Sequence, residues 1–557
     1  MSVKLTKRDE ELRKSRGAFF TPSAIAGFLA DWALAGRADA RVLDPTCGEA
    51  AFLLASARRL VANGAPVKSI SGQLFGVDFH DASLRRSKRL LADEGFAATL
   101  IPRDFFAEPT PVQLGAQLPW MDAVIGNPPF IRYHEHRGAE RKRSARAALA
   151  QGVRLSGLAS SWAALLVHAC GFLSPDGRVA MVLPAELLTV GYAEPIRRWL
   201  RSRFADVHLV LFEELQFQGA EEQVVLLVAK GSGGCDAFSL HQVRDAAELQ
   251  KLHAFDGTAV APKVEGKWTD LLLSTERRAL FRRITSKHFQ RLSIYGQPEL
   301  GTVTGANPFF TLSEATRIEF KIDDAHLTRI VPPGTRHLRG TRFTAGRWEQ
   351  LRLEGQRVWL LDPKAEHPTG GLARYIKRGE VLKVHTAYKC TVRTPWWRPP
   401  VVPVPDLFFT YMSHRYPRLV TNDASVTFLN SMHGITLHSD APAIARRALP
   451  LLALNSVTML GAELFGRAYG GGILKMEPRE AAELPVPAPD VLGLAWRDLA
   501  PEQSRLERML DAGEWQAVVA RVDDVLLVGA AKLPDDEIEA MRSAARLLRI
   551  RRTRQAN

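Results

Sequence analysis

Cysteine is scarce and unpaired. Cys47, Cys170, Cys235 and Cys390 are the whole set in 557 residues, and no two form a CxxC. That argues against a disulfide-built scaffold and a zinc site, so no metal is expected and a reducing, cytoplasmic home follows. Uninterrupted apolar runs of membrane-spanning length are also missing, because stretches such as VARVDDVLLVGAA are broken by charge. The N-terminal MSVKLTKRDEELRKSRG has no apolar signal core. Acidic residues are in deficit, 60 against 74 Lys and Arg, for a net charge of +14. Such a balance attracts a polyanion, nucleic acid more than membrane. Hydrophobic residues at 46% and charged residues at 24% are otherwise ordinary for a globular chain long enough for two to four domains.

What is present is concentrated in DAVIGNPPFIRY. Ala123-Val124-Ile125 reads as a buried strand of a parallel sheet, ended by Gly126. Pro128 and Pro129 then fix a rigid turn that lacks N–H donors, so its carbonyls are free to accept. Asn127 adds an acceptor and Phe130 an aromatic wall. The set suits an exocyclic amino group on a planar ring.

Three strand ends precede this turn. Val42-Leu43 leads to Asp44, and a tight turn through Gly48 enters a helix from Ala50. In open α/β sheets ligands bind outside such ends, and an acid there suits a cationic cofactor group better than a pyrophosphate. QLFGVDF ends at Asp78, a type that accepts from ribose hydroxyls, and Phe79 is placed to cover a purine. A strand near Ala98–Ile101 runs to Asp104, an acceptor for a purine amino group, with Phe105 against the ring. Upstream, Thr21 reads as the N-cap of an amphipathic helix whose first residue is Pro22.

In this order, Thr21-Pro22, DPTCGEAAF, GVDF, RDFF and NPPF resemble motifs X, I, II, III and IV of the gamma-class N6-adenine DNA methyltransferases of the TaqI type. The resemblance implies S-adenosylmethionine as cofactor. It puts Phe20, Thr21 and Pro22 near the methionine part, and Asp44, Thr46 and Gly48 in the loop under the same end. Asp78 then takes the ribose and Asp104 the adenine amino group. It implies a second stacking aromatic, Phe217, facing Phe130 across the target base. One departure is Ala50, where the family usually has glycine; the added methyl is expected to narrow the approach to the cofactor slightly.

The fold expected is a class I S-adenosylmethionine-dependent methyltransferase, α/β with a Rossmann-like sheet, followed by a mixed α+β target-recognition region. The Gly-rich KGSGGC places the end of the catalytic domain at residue 232. Residues 233–490 then form the DNA-binding region and 491–557 a helical segment. Basic residues beside aromatics in the second half mark Arg339, Arg342, Arg393, Trp396, Trp397 and Arg398 as expected DNA contacts. Arg132 opens a further basic stretch directly after NPPF, expected to meet DNA beside the flipped base.

The expected partner is double-stranded DNA, with a separate cognate restriction endonuclease as a further candidate. About sixteen residues precede the first motif, too few for an appended nuclease. Two rivals share the turn: a protein-glutamine N-methyltransferase, which needs no long basic second half, and a non-catalytic DNA-binding relative, which needs no intact NPPF.

Overall fold

Runs of Val, Ile and Leu with few polar interruptions set the architecture of the first part of the chain. Strands buried on both faces belong in a sheet covered by helices on each side. The computed structural model describes residues 21–131, 138–212, 224–252, 257–261, 266–469 and 472–554. In its first unit, Met1–Thr275, the strands are β1 (Val42–Asp44), β2 (Leu74–Asp78), β3 (Thr99–Pro102), β4 (Met121–Gly126), β5 (Leu173–Pro184), β6 (Asp206–Phe212), β7 (Val224–Lys230), β8 (Phe238–Val243) and β9 (Thr258–Val260). They form one sheet in the order β3-β2-β1-β4-β5-β7-β6-β8-β9.

Strands β1 to β5 run parallel, and β7 inserts antiparallel between β5 and β6. This is the reversed strand of the class I methyltransferase sheet. The chain leaves β1 towards β2 and β3, then crosses back to β4 on the other side of β1. Such a reversal opens a crevice at the carboxyl ends of the strands. Asp44, Asp78 and Gly126 are the last residues of β1, β2 and β4, so the expected site residues share one edge of the sheet.

The helices used below are α1 (Ser23–Leu34), α2 (Ala51–Ala62), α3 (Asp81–Asp93), α4 (Gly138–Ala150) and α5 (Ser161–Ala169). Helix α1 buries Ile25, Ala26, Leu29, Ala30 and Ala33, one face at helical spacing. Thr21 does not cap it. Pro22 occupies the cap position, and its carbonyl accepts from the N–H groups of Ile25 and Ala26.

The sheet continues past the expected boundary at 232. KGSGGC turns the chain from β7 to β8, with Gly231, Gly233 and Gly234 all at positive φ. Only glycine adopts that backbone cheaply. Strand β8 then pairs parallel with β6, from His208↔Ser239 to Phe212↔Val243, so it extends the same sheet, and the first unit runs to Thr275.

The second unit, Glu276–Asn557, is built on a five-stranded sheet of Gly296–Leu300, His433–Leu437, Leu407–Phe409, Leu419–Asn422 and Arg342–Phe343. The helices after residue 490 belong to its core. Val518, Val522 and Leu526 are fully buried, and Arg552 of the last helix makes a buried ion pair with Glu463 at 2.8 Å.

Candidate active site

The Asn127–Phe130 turn leaves the carboxyl end of β4 and is held from two sides. From one side, the Asn127 side-chain amide donates to the Thr21 hydroxyl at 3.3 Å. Its Oδ1 is thereby left as the acceptor. From the other side, Ser161 at the start of α5 fastens the turn. Its hydroxyl donates to the Pro129 carbonyl and accepts from the Ile131 N–H at 3.0 Å. Its own N–H donates to the Ile131 carbonyl at 3.0 Å. The Pro129 carbonyl is therefore not free, as the sequence had suggested for both prolines. Among the described residues nothing donates to the Pro128 carbonyl. Asn127 Oδ1 and the Pro128 carbonyl are the acceptor pair that remains. Phe130 is half-buried against the core of the first unit.

Behind Ser161 lies a second layer. Glu186 accepts from Trp162 Nε1 at 3.1 Å, from Ser160 Oγ at 3.3 Å and from the Tyr192 hydroxyl. Sequence reasoning missed Ser161 because its partners are thirty residues away in the chain. The only local signal is a Ser-Ser pair opening an apolar helix.

Asp44 is 1% exposed. Its Oδ1 accepts from the Thr46 N–H at 3.1 Å, while Oδ2 and the Thr46 hydroxyl are buried without a partner. Burial, opposed by the Thr46 hydrogen bond and reinforced by nearby Asp78, raises its pKa from the ordinary 3.8 to about 8. A buried acceptor of this kind is stabilised as the anion by a cationic partner or by further hydrogen-bond donors. Strand β4 passes close beside it: a β-carbon on Gly126 would lie 3.0 Å from Asp44 Oδ1.

Asp78 is gripped by backbone. Gly48 N–H donates to one oxygen at 3.0 Å and His80 N–H to the other at 2.8 Å, which leaves further lone pairs for hydroxyl donors. Beside it Phe79 is 67% exposed at the strand end, its ring tilted against that of His80 with centroids 3.7 Å apart. Ala50 has φ of 64° and is fully buried in the core, so a non-glycine residue here also carries a backbone cost.

Asp104 accepts from Phe106 N–H at 3.1 Å and from Arg143 of α4, whose Nε lies 3.0 Å and Nη2 2.9 Å from the same Oδ2. Phe105 does not line this rim. It is 4% exposed and packs on His168 and Phe172, with ring centroids 5.0 and 5.3 Å away. The turn after β3 points Phe105 inward and leaves Phe106 half-buried instead. Phe20, Arg132 and Phe217 lie outside the described residues.

Together the rim offers a buried acid with an unpartnered oxygen, a hydroxyl acceptor, an exposed ring and a second acid. That set fits a molecule with a cationic amino-acid end and a purine nucleoside end. The adjacent turn offers two acceptors and a ring for a second planar amine.

In the second unit the expected DNA contacts separate into two groups. Arg393 donates to the Val303 carbonyl, and Arg398 to the carbonyls of Pro363 and Ala365 at 3.1 and 3.0 Å. Trp396 and Trp397 pack on the aromatic core around Phe309, Phe310 and Tyr375. All four are half-buried and have partners within the fold. Arg342 is exposed but paired with Asp423 at 2.7 Å. Arg339 is exposed beside exposed Arg336. Burial first, then the field of Arg336, Arg347 and Arg339, lowers the pKa of His337 to about 4, so the positive charge there is concentrated.

Comparison with known proteins follows this division. Residues 4–230 match the family model described as N-6 DNA Methylase, and residues 265–527 match that of the C-terminal domain of the Type II methyltransferase M.Eco57I. The chain is 22% identical to the Type II methyltransferase M.AccI of Acinetobacter calcoaceticus, over 84% of this chain and 85% of the relative. It is 23% identical to the Type II methyltransferase M.XamI of Xanthomonas campestris pv. amaranthicola, over 85% of each. Among solved structures, the Type IIL restriction-modification enzyme MmeI in complex with DNA shares the fold, with a TM-score of 0.51 at 13% identity over 97% of this chain and 79% of that one.

Proposed function

We infer, from a chain that belongs to the N6-adenine DNA methyltransferase family, that the rim at the carboxyl ends of β1 to β4 holds S-adenosylmethionine beside a flipped adenine. The chain is a DNA adenine methyltransferase of the restriction-modification type. When bound, S-adenosylmethionine supplies an electrophilic methyl group.

Thr21 and Pro22 border its methionine end, and Asp44 meets the ammonium. Asp78 accepts from the ribose, Phe79 covers the purine and Asp104 accepts from its amino group. A gamma-class assignment suits this motif order.

The target nitrogen lies inside the duplex, so the base must leave the stack, at a cost of about a few kcal/mol. Stacking on Phe130 offsets this by about 1–3 kcal/mol, and Phe217 is the proposed second face. Asn127 Oδ1 and the Pro128 carbonyl accept the two amino hydrogens. This leaves lone-pair density on the nitrogen and holds its orientation. The rate enhancement comes from positioning and fixed dipoles.

One observation carries the reading. Thr21 occupies the amide nitrogen of Asn127 and Ser161 occupies the Pro129 carbonyl, so the remaining acceptors are the pair an amino group needs. The substrate is proposed to be double-stranded DNA, with sequence reading by the second unit and a separate endonuclease as functional partner. The four cysteines are free thiols and, among the described residues, no single helix is long and apolar enough to cross a membrane; a cytoplasmic location suits both. Single-molecule sequencing of host DNA with and without the chain tests the reading. N6-methyladenine at one sequence context supports it; unmodified adenine throughout overturns it.

A further inference from the structure

Helix α4 follows the catalytic turn and carries a row of cations. Ser144, Ala147 and Ala148 are buried, while Lys142, Arg143 and Arg146 are exposed. The row is therefore a solvent-facing basic surface on the side of the helix away from its packing. One of its members is not idle. Arg143 places both Nε and Nη2 within 3.0 Å of Asp104 Oδ2, and Asp104 is the carboxylate assigned above to the purine amino group of the cofactor. The ion pair is partly open to solvent, with side-chain exposures of 47% and 31%. An exposed pair of this kind is weak enough to exchange partners.

We propose that α4 is a surface for the DNA phosphate backbone, and that Arg143 exchanges Asp104 for a phosphate when DNA binds, so that DNA and cofactor strengthen each other's binding. This rests on the assignment of Asp104 to the cofactor purine. While Arg143 sits on Oδ2 it neutralises the carboxylate and weakens it as an acceptor for an amino group. A phosphate oxygen gives the guanidinium the same two-point contact. Once Arg143 has moved, Asp104 offers its full charge to the purine. By linkage, whatever DNA does to cofactor affinity the cofactor does to DNA affinity. Lys142 and Arg146 supply sequence-independent contacts on the same row.

The test titrates S-adenosylhomocysteine into the full chain by calorimetry, alone and with a short random-sequence duplex. In the wild type the duplex should tighten S-adenosylhomocysteine by about two- to five-fold, the range one exposed ion pair supports. In Arg143→Gln the ligand should bind tighter by that factor without DNA, and DNA should add nothing. The salt dependence of duplex binding should lose about one unit of slope. Arg143→Lys should keep the slope. Weaker S-adenosylhomocysteine binding in Arg143→Gln would overturn the proposal and make Arg143 a residue that positions Asp104. A response to DNA that survives the substitution would overturn it as well. Asp104→Ala, which removes both acceptor oxygens, separates the layers. If it leaves S-adenosylhomocysteine affinity unchanged, Asp104 is not the purine acceptor and the exchange fails. Methyl transfer to adenine by the wild-type chain would still stand.

Discussion

In the first unit the acids picked out by spacing stand at or just past strand ends along one edge. In the second unit most residues picked out by composition are half-buried and already have partners within the fold. Asp44, Asp78 and Asn127 lie at the carboxyl edge of the parallel strands of one sheet, while Arg393 and Arg398 bind backbone carbonyls, and Trp396 and Trp397 pack half-buried against a core. The difference is one of constraint. A parallel sheet sends all its strand ends to the same edge, so sequence order alone gathers the site. An arginine next to a tryptophan carries no such instruction, because a guanidinium serves a carbonyl inside the fold as well as a phosphate outside it.

The sharpest way to break the contrast is at the catalytic turn. Asn127→Ala should lower the methyl-transfer rate by about a hundred- to a thousand-fold, the cost of losing one preorganised polar group, with S-adenosylmethionine binding retained. Full activity in a radiolabel-transfer assay would remove Asn127 from the mechanism.

The next effect is in pH. Burial holds the Asp44 pKa near 8 against an ordinary 3.8. The folded chain therefore holds this proton where the unfolded chain has released it, and stability falls as pH rises from about 4 to 8. A cationic ligand on Asp44 expels that proton. S-adenosylhomocysteine affinity should then rise by about tenfold per pH unit below 8 and level off above it. Calorimetry in buffers of different ionisation enthalpy should find about one proton released near neutral pH. A flat profile would detach Asp44 from the cofactor.

In the second unit, Arg398→Gln should cost about 1.5–3 kcal/mol of stability, the range for a charged donor to carbonyls, and leave the salt slope of DNA binding unchanged. Thermal unfolding and a salt series measure both. Arg339→Gln should do the reverse, with unchanged unfolding and about one unit less slope. If the two variants behave alike, the division between fold-holding and DNA-facing arginines collapses.

The sheet, its edge and four of the site acceptors were legible because each is a local event: an apolar run, a polar stop, a turn. Phe105 was not, since whether it or Phe106 faces the rim depends on a single turn of 3-10 helix after β3. Ser161 was not, because its value lies in contacts to residues 129 and 131. The KGSGGC break is ambiguous for a related reason. Glycines at positive φ mark a tight turn, and a tight turn joins strands of one sheet as readily as it separates domains.

The Ser160-Ser161-Trp162 tripeptide has a consequence for redesign. Its middle residue fastens the catalytic turn while its outer two bind Glu186. Transplanting NPPF alone into another scaffold would leave behind the fastener that sets which carbonyl remains available. A library that varies residues 127–131 to accept other amines should keep 160–162 fixed, or vary both segments together. The turn and the first turn of the helix that holds it form one structural unit.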